Sequence, residues 1–142
     1  MAETMYKYGK LPHYPHMMPA DVAIWERFID AFPGAYDACQ YDVKVGTVPG
    51  FVEGAEHTHE QAQAPLYLRK IDVVAYKAEQ IDIIELKPNA SMSSIGQVNG
   101  YRILFVRDFN PPVKPKAIVI TDRYDFDTAH AAAEQDVVMV QV

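Results

Sequence analysis

The sequence predicts an α/β domain whose central mixed sheet is flanked by helices. Two apolar, β-branched runs, residues 66–77 and 81–87, are separated only by Ala78-Glu79-Gln80, the spacing of an antiparallel hairpin. Two further short apolar runs, 116–121 and 136–142, each follow a stretch with helical periodicity, the pattern of strand-helix-strand crossovers. The chain has 142 residues, 49% of them apolar, so one domain with a substantial core is the simplest organisation.

The elements follow in order. Residues 1–19 are rich in Tyr, Met, His and Pro, and Pro12, Pro15 and Pro19 disfavour regular structure, so an extended N-terminal arm precedes a domain spanning 20–142. The arm's aromatic and Met content suits packing on its own domain or on another chain, in a homo-oligomer or a larger protein assembly. A helix is expected over 21–32, where Val22, Trp25, Phe28, Ile29 and Phe32 form one stripe and Pro33-Gly34 stops it. A strand is expected over 41–52, and the polar stretch 53–64 reads as a loop whose His57 and His59 match no closed metal-ligand set. After the hairpin, Pro88-Asn89-Ala90 breaks the chain and Ser91 is placed to cap a helix running to about residue 107. Met92, Ile95, Val98 and the Phe105/Val106 pair supply its core stripe, and Gly96 and Gly100 would let it lie close on the sheet. A strand at 116–121, a short helix at 127–134 and a last strand at 136–142 complete the order: helix, three strands, helix, strand, helix, strand.

Charge and composition narrow the function. The net charge of −6 argues against a nucleic-acid binder working through bulk charge. The imbalance is local, however: residues 1–68 hold 4 Lys/Arg against 9 acids, 69–123 hold 9 against 6, and 124–142 hold none against 4. No apolar run approaches the roughly 18 residues that would suggest a membrane span, and the N-terminus lacks the continuous apolar core of a signal peptide. The single cysteine, Cys39, excludes an internal disulfide and reads as a small buried hydrophobe in a reducing compartment.

The chemistry concentrates in Ile81-Asp82-Ile83-Ile84-Glu85-Leu86-Lys87. A strand buried on both faces carries a carboxylate and an ammonium two positions apart, on the face opposite Ile84 and Leu86. Buried charges are expensive and seldom lack a task. Thirteen residues earlier, Asp72 lies on the partner strand, sharing a face with Lys70 and Val74 by simple alternation.

Asp72, the E-x-K of Glu85-Leu86-Lys87 at the end of the next strand, and a helix carrying Gln97-Val98-Asn99-Gly100-Tyr101 together resemble the PD-(D/E)XK nuclease superfamily, in its RecB-like branch with a Q-x-x-x-Y motif. The proline usual before the acidic residue is replaced by Ile71. The chain as a whole is also similar to small phage-encoded members of that superfamily. The resemblance implies a restriction-endonuclease-like αβββαβ core and catalytic positions at Asp72, Glu85, Lys87, Gln97 and Tyr101. It also implies Mg²⁺ or Mn²⁺ held by Asp72, Glu85 and the Leu86 carbonyl. Phosphodiester hydrolysis needs an activated water and neutralisation of charge on the phosphoryl oxygens, which a hard cation on carboxylates supplies. Lys87 would orient the water or stabilise the transition state. Arg69, Lys70, Arg102 and Arg107 are candidates for phosphate contacts, and Glu26, at the edge of the first helix's stripe, for an auxiliary acid.

Two functions compete at this stage. One is a metal-dependent deoxyribonuclease acting on DNA, in phage DNA processing or packaging. The other is a phage virion component, in the head or head-tail connector, built on the same fold. The expected setting is the bacterial cytoplasm or the virion.

Overall fold

The structure is a computed structural model describing residues 4–47 and 68–142. The expected loop at 53–64, with His57 and His59, and the end of the strand expected over 41–52 lie outside the described residues. Among those described, six strands form one sheet in sequence order: β1 (Tyr6–Lys7), β2 (Ala38–Val45), β3 (Arg69–Lys77), β4 (Gln80–Leu86), β5 (Lys116–Thr121) and β6 (Val137–Gln141). The first three pairings are antiparallel and the last two parallel. The parallel steps are bridged by α2 (Met92–Phe109) and α3 (Phe126–Glu134), while α1 (Pro19–Ala31) precedes β2. No described helix is long and apolar enough to cross a membrane.

The sheet separates two apolar layers. On one face, Ile24, Trp25, Phe28 and Ile29 of α1 pack on Cys39, Tyr41, Val73, Ala75, Ile84, Leu86 and Ile120. On the other, Ile95, Val98, Tyr101 and Phe105 of α2 and Ala132 of α3 cover Val74, Ile81, Ile83, Ala117 and Val119. β4 is thereby buried on both faces from Ile81 through Leu86. Cys39 is fully buried and free, and burial pushes its thiol up to about 12.

The arm carries the strand the sequence concealed. Tyr6 and Lys7 pair with Cys39 and Ala38, and Tyr8 and Tyr14 enter the α1-side layer. Tyr8 donates its hydroxyl to the Phe32 carbonyl at 2.7 Å, satisfying a group that the end of α1 leaves open. α1 begins at Pro19, where a missing N–H costs nothing, and stops one residue short of Phe32, which is 46% exposed instead of in the stripe.

α2 departs from its expected packing in two ways. Met92 and Val106 face solvent, at 56% and 41% exposure. A Cβ added at Gly96 or Gly100 would meet nothing within 4 Å, so these glycines do not serve a close approach to the sheet. Ser91 occupies the cap position, yet its hydroxyl contacts Ser93 Oγ and makes no capping bond to the helix. Asn110, with φ of 45°, closes the other end ahead of Pro111-Pro112.

Candidate active site

β3 and β4 pair in register from Lys77↔Gln80 to Val73↔Ile84, where the ladder ends. The next positions, Asp72 and Glu85, would be partners, and there the two strands part. The Leu86 N–H, instead of joining a strand carbonyl, donates to Asp72 Oδ2 at 2.9 Å. This bond fixes Asp72 across the fork from β4. On its other side β4 stays tied to β5, the Lys87 N–H donating to the Ile120 carbonyl at 3.0 Å, and the Lys87 side chain is exposed. Asp72, Glu85 and Lys87 are thus brought to one end of the two central strands.

Electrostatics mark the same place. Burial raises the Asp72 carboxyl well above the usual range; the Leu86 N–H opposes this, nearby Asp21 and Asp42 add to it, and Lys87 lowers it. Glu85, 7% exposed, is raised first by burial and then by the charges of Asp72 and Asp21, with Lys87 again opposing. Two buried carboxylates facing one nearby ammonium hold more negative charge than it neutralises. Tyr101, buried on α2, is raised by burial and by Glu85, and Gln97 Nε2 donates to its hydroxyl at 3.1 Å. The expected Gln97/Tyr101 pair therefore forms and stands beside Glu85.

Two acids acting on the site were not anticipated, Asp21 and Asp42. Asp21, in the first turn of α1, is raised by burial and lowered by Lys87, and its charge acts on both Asp72 and Glu85. Glu26, the α1 acid the sequence suggested, instead accepts from the Tyr14 hydroxyl at 2.9 Å and is not among the charges acting on the pair. An acid in a helix's first turn reads from sequence as a dipole partner, so only the packing angle of α1 reveals Asp21's position.

The basic candidates divide. Arg69 acts electrostatically on Tyr101, and Arg69 and Lys70 are exposed on β3 opposite Val45 and Lys44. Arg102 donates to Asn99 on its own helix at 2.9 Å, and Arg107 pairs with Asp108 at 2.8 Å, so each already has a local partner. Lys70, Asp72 and Val74 do not all share one face as simple alternation expects: Ile71 belongs to the α2-side layer and Val73 to the α1-side layer, so the alternation breaks at Asp72.

Among the described residues, no group of three or more His, Cys, Asp and Glu is arranged to hold a metal ion. The site's donor set nonetheless fits a small hard cation, which is commonly bound through one or two carboxylates, with water and substrate oxygens completing its shell. Asp72 and Glu85 supply two crowded carboxylates at a strand fork, and the adjoining Leu86 carbonyl is a neutral oxygen donor.

No family model and no curated protein sequence matches the chain. Among solved structures it is similar to a repair endonuclease from Pyrococcus abyssi, with a TM-score of 0.52 and 10% identity over 92% of this chain and 49% of that one. It is also similar to the protein in a complex of EndoMS with double-stranded DNA, with a TM-score of 0.50 and 11% identity over 96% of this chain and 48% of that one. The likeness is one of fold, and the chain spans about half the length of each.

Proposed function

We propose that this chain is a divalent-metal-dependent deoxyribonuclease of the PD-(D/E)XK type. The single observation that carries the reading is the Asp72/Glu85 pair, mutually crowded at the β3–β4 fork with Lys87 beside it. A purely structural sheet gains nothing from that arrangement, because two buried like charges destabilise it. The fold's likeness to a repair endonuclease and to a protein solved on double-stranded DNA supports DNA as the substrate.

In this reading Asp72, Glu85 and the Leu86 carbonyl would hold Mg²⁺ or Mn²⁺, which would make a bound water more acidic and neutralise charge on the phosphoryl oxygens. The chain's own groups do the rest. The Leu86 N–H fixes one Asp72 oxygen and so aims the carboxylate. Lys87, exposed at the fork, orients the attacking water and stabilises negative charge on the phosphate. Tyr101, held by Gln97, forms the wall beside Glu85. Arg69 and Lys70, with Lys44 opposite Lys70, offer a basic rim for the DNA backbone. The net charge of −6 makes delivery by a larger assembly, or oligomerisation, the natural route to DNA. Phage DNA processing or packaging, in the host cytoplasm or virion, is the setting that the sequence's resemblance suggests.

The test is cleavage of linear, circular, branched and single-stranded DNA with Mg²⁺ or Mn²⁺, comparing wild type with Asp72→Ala and Lys87→Ala. Cleavage by wild type and its loss in both folded variants is expected. Equal inertness of all three across substrates and metals sinks the enzyme and leaves the assembly reading.

A further inference from the structure

Asp42 stands in the middle of β2 with φ of 55°, a left-handed conformation that costs a residue bearing a Cβ free energy and that strands rarely contain. Its effect is visible in the neighbours. Cys39 and Tyr41 belong to the α1-side layer, yet Val43 and Val45, of the same parity, belong to the α2-side layer. β3 changes sides at the matching point: Val73 and Ala75 pack with α1, while Ile71 packs with α2. The β2–β3 register is unchanged on either side, from Ala38↔Tyr76 through Tyr41↔Val73 and on from Val43↔Ile71 to Val45↔Arg69. Only the 42/72 pair is missing from the ladder. Both strands therefore turn over at one paired position, and the residue facing Asp42 there is Asp72.

The turnover has a consequence at the fork. Alternation from Val74 puts Asp72 on the α2 side, which Glu85 shares by alternation from Ile83; at the turnover Asp72 is also out of the β2 ladder, and there its carboxylate accepts from the Leu86 N–H. The Asp42 side chain makes its own contact away from the fork, although its charge still acts on Asp72. It lies 4.0 Å from His16 Nε2 and lines a cavity of about 200 Å³ with Thr4, Tyr6, Tyr41 and Lys44.

We propose that Asp42 is a positioning residue for Asp72: its left-handed backbone turns both strands over at the 42/72 pair and so sets the Asp72 carboxylate against the Leu86 N–H beside Glu85. The role rests on the metal-dependent reading of that pair for its purpose, but its geometry can be tested without it. Asn and Gly tolerate positive φ, whereas a β-branched residue strongly favours extended backbone.

The experiment is amide hydrogen exchange at Leu86, with Mn²⁺ titration calorimetry, on wild type, Asp42→Gly, Asp42→Asn and Asp42→Val. The valine variant is expected to exchange its Leu86 amide at least about tenfold faster and to bind Mn²⁺ about tenfold more weakly, a size set by the left-handed penalty. The Gly and Asn variants stay within about threefold of wild type, rescue that follows backbone tolerance and not charge. Should the valine variant fail to fold, Asp42→Ala takes its place with the same expected direction. Leu86 protection equal to wild type in the valine or alanine variant overturns the proposal, as does a loss in Asp42→Gly as large as in Asp42→Val. Failure of the nuclease reading looks different: wild type neither binds Mn²⁺ nor cleaves DNA, while the Leu86 exchange series still decides the positioning role.

Discussion

Replacing Asp72 with asparagine removes one charge from the fork while keeping the size of the side chain and an oxygen to accept from the Leu86 N–H. In the metal-free protein burial and mutual repulsion raise both Asp72 and Glu85, so folding favours their protonated forms. The sign follows from linkage: that contribution to stability is complete below the ordinary carboxylate range, near pH 4, and is lost as pH rises through the elevated folded values. An uncompensated buried carboxylate costs about 1–3 kcal/mol. For a chain of this length that corresponds to roughly 3–10 °C in Tm. Thermal unfolding followed by circular dichroism in a chelator should therefore show wild type losing stability from about pH 5 to about pH 9 more steeply than Asp72→Asn. Excess Mg²⁺ should restore wild type at the alkaline end by binding the folded state, and leave the variant unmoved. Coincident pH curves for the two proteins, or equal responses to Mg²⁺, would refute the reasoning.

Other expectations follow from the same geometry. Lys87 is exposed, so its countercharge at the fork is screened and Lys87→Met should cost no more than about 1 kcal/mol of stability while cutting DNA cleavage by about 10²-fold or more, read by parallel melting and nicking assays. Arg69→Ala and Lys70→Ala should each lower the slope of log affinity against log salt for DNA by about one, measured by fluorescence anisotropy. Arg107→Ala, whose guanidinium already pairs with Asp108, should change that slope less. Trp25 is fully buried and donates to the Tyr41 hydroxyl at 3.0 Å, so Trp25→Ala should cost about 3–5 kcal/mol in chemical denaturation.

What could be read in advance depended on how local each signal was. β4 announced itself because a doubly buried strand leaves an unbroken apolar run, and its charged end stood out against that run. The hairpin and the two crossovers were legible from spacing and periodicity alone, and the Gln97/Tyr101 contact from helical geometry. β1 was hidden because two residues of a proline-rich arm pair only by virtue of β2's edge. Met92 and Val106 fit the helix's period but not its direction, since α2 turns Ile95, Val98 and Phe105 to the sheet. Asp21 and Asp42 were invisible for a deeper reason. Each matters through a tertiary relation, one by the way α1 packs and the other by a left-handed residue that no glycine signals.

The central claim is that Asp72 and Glu85 together hold one divalent cation. The measurement that tests it most directly is anomalous X-ray diffraction from crystals of the protein grown with Mn²⁺. A single strong peak bridging a carboxylate oxygen of Asp72 and one of Glu85, absent from Asp72→Asn crystals, is the predicted result. Well-ordered side chains at the fork with no Mn²⁺ between them would contradict it.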